Sequence, residues 1–144
     1  MDPSYTWQIV SLIILIGLSG FFSMSETALM SLNKIKLRHM VEEGVAGAKS
    51  VEKLIEDPNK LLGAILIGNN VVNIGASSLA TVLATNIFGN SGVGIATGVI
   101  TILVLIFGEI TPKSIAKQKS ETVALMVVKP IQFIVFIHRQ MVQI

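Results

Sequence analysis

Long apolar stretches separated by short polar segments dominate this sequence. From Trp7 to Leu32 the only ionisable side chain is Glu26, and from Leu61 to Phe107 there is none. A soluble domain does not need two such stretches, whereas a hydrocarbon core of roughly 30 Å requires about 20 apolar residues in each helix that crosses it. The pattern therefore predicts an all-α membrane protein.

Three segments are predicted to cross the membrane as helices, namely residues 1–32, 61–88 and 93–118. The second and third are joined by the short uncharged turn "GNSG", so we expect them to form a helical hairpin through the bilayer. Residues 120–144 are also apolar, but Lys129-Pro130 lies in their middle, and each half is too short to cross alone. We predict a bent segment at the membrane surface there, with a fourth crossing helix as the alternative.

The segment 33–60, between the first two predicted spans, has a different pattern. Apolar side chains recur at helical spacing among charged ones, with Gly44 and Gly47 in the middle and Asp57-Pro58 near the end. This pattern predicts two short amphipathic helices at the membrane surface, and an ordinary loop is the alternative.

The basic residues predict the orientation of the spans. Six of them follow the first span or lie at or just beyond the end of the third: Lys34, Lys36, Arg38, Lys113, Lys117 and Lys119. The turn between the second and third spans is uncharged, and the N-terminus carries only Asp2. Because basic loops tend to remain in the cytoplasm, we expect the N-terminus outside and the C-terminus in the cytoplasm. The expected location is the cell (inner or plasma) membrane, with several crossings.

Polar residues inside the predicted spans are the candidates for function, because such groups are costly in lipid and usually mark a binding site or an ion path. They are Ser19, Ser23, Ser25 and Glu26 in the first span, Asn69, Asn70, Asn73 and Ser77 in the second, and Gly108 and Glu109 in the third. Most members of the first two sets are three or four residues apart, so they share one helix face.

These residues offer hydroxyl, amide, carbonyl and carboxylate oxygens, which suit Mg²⁺, Ca²⁺ or Na⁺. The chain has no cysteine, and its three predicted spans contain no histidine for a softer metal. Close helix packing is the favoured alternative for single serines, and both roles remain open for Asn69 and Asn73. For Glu109 a role at a site is favoured, because carboxylates within membranes are rarely without function.

Pro112 bears on the same site, because proline lacks an N–H and disfavours a helical residue before it. We expect it to break the third span and to expose backbone carbonyls near Gly108. Lys113 is expected to pair with Glu26 or Glu109, or else to extend to the membrane surface.

Enzymatic and nucleic-acid functions find no support in the sequence. It contains no Ser/His/Asp set, no glycine-rich phosphate loop and no pair of histidines at metal-binding spacing. The net charge is only +2, and no basic stripe carries interleaved aromatic residues. We therefore expect neither an enzyme nor a nucleic-acid partner.

Three motifs together resemble a known family. "SGFFSMSETALMSLN" (Ser19–Asn33), "ILIGNNVVNIGASSLAT" (Ile65–Thr81) and "FGEITPKSIA" (Phe107–Ala116) look like the transmembrane domain of the CorC/cyclin M (CNNM) proteins. The resemblance covers nearly the whole chain. It implies a homodimer in the lipid membrane that exports Mg²⁺, coupled to Na⁺ entry.

The resemblance also implies a site and further domains. Matched residue by residue, the ligands of a largely dehydrated Mg²⁺ are Ser23, Asn69, Asn73, Gly108 and Glu109, followed in second rank by Ser25, Glu26, Asn70 and Ser77. In the family this domain precedes cytoplasmic CBS domains that bind ATP. Such domains are absent from this sequence, so we expect the chain to be a piece of a longer protein. The alternatives are a membrane Mg²⁺ sensor or scaffold that transports nothing, and a channel.

Overall fold

The structure is a computed structural model and is built of helices. It describes the backbone of residues 3–142. It also describes the side chains of these residues, except those of residues 3, 4, 90–92, 96 and 142. In chain order the elements are α1 (Pro3–Ser31), α2 (Lys34–Glu42), α3 (Ala48–Ile55), α4 (Pro58–Val104), a π-helical turn (Leu105–Ile110), α5 (Thr111–Gln118) and α6 (Ser120–Val142). The predicted all-helical fold is confirmed. Asp2, which contributes to the predicted orientation, lies outside the described residues.

Four helical stretches of the described chain are long and apolar enough to cross a membrane. They are span 1 (Tyr5–Ser31), span 2 (Pro58–Gly89), span 3 (Val93–Gln118) and α6, over Ser120–Met141. Spans 2 and 3 are separated by Gly89, whose φ of 68° and ψ of −167° interrupt α4. Only glycine adopts this backbone conformation readily, so the fold-back of the chain depends on this residue.

The last helix runs through Pro130, whereas the sequence suggests two apolar halves that are each too short to cross. The expected bend at Pro130 stays a prediction. The helix is continuous from Ser120 to Val142, with Pro130 inside it, and its apolar part is a single stretch of 22 residues. One side is held against the bundle, since Val127, Val128 and Ile131 are buried in the main core. Since α6 is one helix of sufficient length, it is no longer too short to cross the membrane. The predicted count of three spans is not confirmed, and the surface location of this segment stays a prediction.

The two short helices cover one end of the bundle, which we call the capped end; the opposite end, at Gly89, is the Gly89 end. Asn33 begins α2, because its side-chain oxygen accepts hydrogen bonds from the next backbone N–H groups. Gly44 and Gly47, with φ of 76° and 86°, turn the chain between α2 and α3. Leu37 and Val51 are buried in the main core, so both helices pack onto the bundle through their apolar faces.

Spans 1 and 2 run antiparallel, and the same alignment of their residues is kept from one end to the other. At the Gly89 end, the Tyr5 hydroxyl donates a hydrogen bond to the backbone carbonyl of Asn86 at 3.1 Å. Toward the capped end, the Phe22 ring lies so close to Gly68 that an added Cβ would be 2.7 Å from its Cζ atom. Glycine at position 68 thus permits the close approach of the two spans.

Spans 1 and 3 approach each other most closely at Gly20. A Cβ at this position would lie 3.0 Å from the backbone oxygen of Phe107 and 3.2 Å from Cγ of Pro112. Small residues commonly allow membrane helices to pack at such short range. The contact brings the backbone of span 3, and not only its side chains, to the centre of the bundle.

Gly20→Ala is expected to destabilise the protein by about 1–3 kcal/mol, because the new methyl group would push against a backbone carbonyl. Gly17→Ala is the matched control, since it lies in the same helix and nothing is within 4 Å of its Cβ position. Thermal unfolding of both variants in detergent measures the difference. Equal melting temperatures would contradict the close approach at Gly20.

Candidate cation site

Three spans meet at a hydroxyl group, an amide and a glycine. The Ser19 hydroxyl of span 1, which is fully buried, donates a hydrogen bond to Oδ1 of Asn73 in span 2 at 2.8 Å. From span 3, Gly108 packs so closely that a Cβ there would be 3.0 Å from Ser19 Oγ. The centre of the bundle is therefore polar, although its surroundings are apolar.

Two further oxygen atoms are buried nearby without a hydrogen-bond partner. They are Oγ of Ser23, whose residue is 1% exposed, and Oδ1 of Asn69. Ser23 follows Ser19 by four residues in span 1, and Asn69 precedes Asn73 by four in the antiparallel span 2. The register that pairs Ser19 with Asn73 therefore places Ser23 and Asn69 at the same level, one turn closer to the capped end.

Unsatisfied oxygens of this kind require a physical reason, since the large majority of buried polar groups have partners. A buried hydroxyl and a buried amide oxygen at one level both present lone pairs. A cation is a partner that both can bind at once. Hard cations such as Mg²⁺, Ca²⁺ and Na⁺ prefer these oxygen ligands.

Span 3 contributes backbone oxygen through a widened helical turn. The Thr111 N–H bonds to the carbonyl of Ile106, five residues back, and Pro112 has no N–H to donate. The Phe107 carbonyl therefore accepts a hydrogen bond neither from Thr111 nor from Pro112. Its oxygen faces Gly20 of span 1 and would be 3.0 Å from a Cβ at that position. The expected break in span 3 is wrong. The helix continues past Pro112, and the turn just before it, Leu105–Ile110, has π-helical hydrogen bonds.

Glu109 lies in this π-helical turn, directly after the buried Gly108, and its side chain is half-buried. Ion pairs among the described residues join Lys36 to Glu121 and His39 to Glu43. Lys113 is exposed and, among the described residues, pairs with neither Glu26 nor Glu109; its extension to the membrane surface stays a prediction. The carboxylate of Glu109 thus has no lysine partner in the described part of the chain.

A groove between spans 2 and 3 lies on the Gly89 side of this centre. It encloses about 150 Å³, and its polar lining is formed by Ser77, Thr81, Thr97 and Thr101. The Thr81 hydroxyl donates to the carbonyl of Ser77 at 2.9 Å, and that of Thr101 donates to the carbonyl of Thr97 at 2.7 Å. Because the hydroxyl protons of Thr81 and Thr101 are used within their own helices, the lone pairs of these two oxygens remain available to a cation.

Comparison with known proteins identifies the family of this chain. Residues 10–143 match the family model of the CNNM, or cyclin M, transmembrane N-terminal domain. The chain belongs to this family. The resemblance found in its three motifs is thereby confirmed, and the CNNM-family domain is a multi-pass membrane protein.

Three relatives show the range of the family. The chain is 51% identical over 115 residues to a UPF0053 protein of Haemophilus influenzae, covering 80% of this chain and 27% of that protein. It is 50% identical over 107 residues to the UPF0053 inner membrane protein YfjD of Escherichia coli, covering 74% and 25%. It is 30% identical over 145 residues to the polyamine export protein of Salmonella typhimurium, covering 89% and 32%. The chain thus spans about a quarter to a third of the length of these relatives.

The second-rank candidates of this CNNM-family domain lie in different surroundings. Ser25 is buried but donates its proton to the carbonyl of Phe21 at 2.7 Å, which is a hydrogen bond within its own helix. Glu26 is half-buried, and Asn70 is exposed, unlike the buried oxygen of its neighbour Asn69. Ser77 is exposed and belongs to the groove between spans 2 and 3. These residues are not joined to the central group by a hydrogen bond.

Ser19 is a candidate from its position in span 1, but the family resemblance does not place it among the expected ligands. The structure makes it the hydrogen-bond donor to Asn73 and the contact of Gly108. Its spacing of four from Ser23 was the available signal, and only the packing of the spans separates the two roles.

Ser19→Ala and Ser23→Ala are expected to have opposite effects in the absence of divalent cations. Loss of the Ser19 hydroxyl leaves the half-buried Asn73 side chain without its donor and should lower the unfolding free energy by about 1–3 kcal/mol. Loss of the Ser23 hydroxyl removes an unsatisfied group and should be neutral or stabilising. Denaturation in detergent with a chelator measures both, and equal losses would contradict these roles.

Proposed function

We propose that this protein transports Mg²⁺ out of the cell through the site between its three spans. The observation that carries the proposal is the pair of buried, unpartnered oxygens on Ser23 and Asn69. Export and its coupling to Na⁺ entry are included because the family resemblance implies them. We propose no catalytic reaction and no nucleic-acid partner.

The proposed Mg²⁺ ligands are the oxygens of Ser23 and Asn69 together with groups of three neighbouring residues. Asn73 keeps one lone pair of Oδ1 free while it accepts the proton of Ser19. Gly108 contributes its backbone, and Glu109 supplies negative charge. Mg²⁺ prefers six oxygens at about 2.1 Å and usually retains water, so water would complete this shell.

The setting of this site follows from the same argument. We propose the cell membrane as its location, with the N-terminus outside because the basic residues lie at the capped end. The chain would act as a homodimer, in which each copy has its own site. In a longer natural protein, cytoplasmic CBS domains would follow this domain.

Export of an organic polycation is a second candidate, because one relative is named a polyamine export protein. The packing of the site favours a bare ion. Gly108 is in tight contact with Ser19, which leaves no room for an elongated molecule unless the spans separate.

A sensor or scaffold that binds Mg²⁺ without moving it would need the same ligands. The groove between spans 2 and 3 favours transport, because it offers oxygen atoms beyond the binding site in the direction of the Gly89 end. A static sensor has no need of such a lining.

Mg²⁺ is expected to raise the melting temperature of the purified protein, because a ligand that binds only the folded state stabilises it. Ser23→Ala, Asn69→Ala and Asn73→Ala should each abolish most of this shift. Ser78→Ala is the matched control, because Ser78 is an exposed hydroxyl of span 2 outside the site. If Ser23→Ala and Asn69→Ala both keep the shift of the unmodified protein, the proposed site is wrong.

Transport itself is tested in proteoliposomes that contain a fluorescent Mg²⁺ indicator. We expect Mg²⁺ flux that depends on an opposing Na⁺ gradient and falls at least tenfold in Asn69→Ala. Flux without Na⁺ dependence and with a measurable current would indicate a channel. A melting shift without flux would identify a sensor, and flux of spermidine instead of Mg²⁺ would support the second candidate.

A further inference from the structure

A second cavity, separate from the cation site, lies at the capped end between α3, the start of span 2 and α6. It encloses about 300 Å³, and three basic side chains line it: Lys53, Lys60 and Arg139. Asp57 is the acidic residue of the lining. Three positive charges therefore face one negative charge in a single concave surface.

These positive charges are not neutralised by ion pairs. The Asp57 carboxylate accepts a hydrogen bond from the backbone N–H of Lys60 at 3.3 Å, so it caps the helix of span 2. In the described part of the chain, the ion pairs involve four other residues at α2 and α6. The cavity thus retains positive charge for a negatively charged ligand.

The same cavity has an apolar side. Leu61, Val135 and Phe136 line it, and Phe136 is 58% exposed. Pro58 begins the apolar stretch of span 2, so the basic groups lie where a helix enters the hydrocarbon. A free inorganic anion would gain nothing from such apolar neighbours, whereas a lipid would.

A larger apolar cavity continues along span 2. It encloses about 580 Å³ and is lined by Ala64, Ile67 and Val71 of span 2 and by Ile134 and Ile137 of α6, among others. Its lining begins one helical turn beyond Lys60 and Leu61. The two cavities together offer a charged place for a headgroup and an apolar place for acyl chains between the same two helices.

We propose that this surface binds an anionic phospholipid, with the headgroup phosphate between Lys53, Lys60 and Arg139. Basic pockets between helices at a membrane surface are suited to such headgroups. The bound lipid would bridge α3, span 2 and α6, and so would fix the position of α6 against the bundle. The inference does not depend on which cation the central site binds.

Thermal unfolding of the detergent-purified protein with added phosphatidylglycerol, phosphatidylcholine or inorganic phosphate tests the proposal. Phosphatidylglycerol is expected to raise the melting temperature, whereas the other two should not at equal concentration. An equal shift with inorganic phosphate would indicate a simple anion site, and no shift with phosphatidylglycerol would overturn the proposal.

The variant Lys53→Gln/Lys60→Gln/Arg139→Gln should weaken phosphatidylglycerol binding by about tenfold or more, since each basic residue near a membrane surface contributes on the order of fivefold. Lys49→Gln/Lys117→Gln/Lys119→Gln is the matched control, because it removes the same charge at exposed positions outside the cavity. Equal weakening in both would show general surface attraction and contradict a site. If the first triple variant does not fold, Lys60→Gln and native mass spectrometry of retained lipids provide the same comparison.

Discussion

The hydrogen bond from Ser19 to Asn73 links spans 1 and 2 at the level where span 3 touches both. In hydrocarbon no water is available to satisfy a polar group that loses its partner, so a shift of one span along another would leave both side chains unpaired. This interaction therefore favours a single register. Once the register is set, Ser23 and Asn69 lie at the same level of the bundle, and their buried oxygens have no hydrogen-bond partner. A bound cation would supply that partner.

Span 3 adds to this centre by a different means, through its backbone. Pro112 removes a hydrogen-bond donor from the helix, and the π-helical register of Leu105–Ile110 accommodates the loss without breaking the span. The carbonyl of Phe107 then lies against Gly20, where a side chain would keep it away. Glycine and proline thus act together: one allows the close approach, and the other makes backbone oxygen available at the point of contact.

The central site and the basic cavity near α3 lie on two sides of span 2 and depend on different physical properties. The central site relies on neutral oxygens excluded from water, with Glu109 as the nearby charge. The basic cavity relies on unpaired cations next to apolar surface. Because α6 packs on span 2 beside the basic cavity, a lipid bound there would act on the position of α6.

Local sequence determined the helices of this protein, their apolar lengths and the faces on which Asn69 and Asn73 lie, because these depend on residue type and helical spacing alone. The three motifs also identified the family. Tertiary structure decided the rest. Pro130 divides the apolar stretch of residues 120–144 in the sequence, but α6 is one helix, with Val127, Val128 and Ile131 buried in the main core. Ser19 and Ser23 share one face and one chemistry, and only the register against span 2 gives the first a partner and leaves the second without one, since register depends on contacts between residues far apart in the chain.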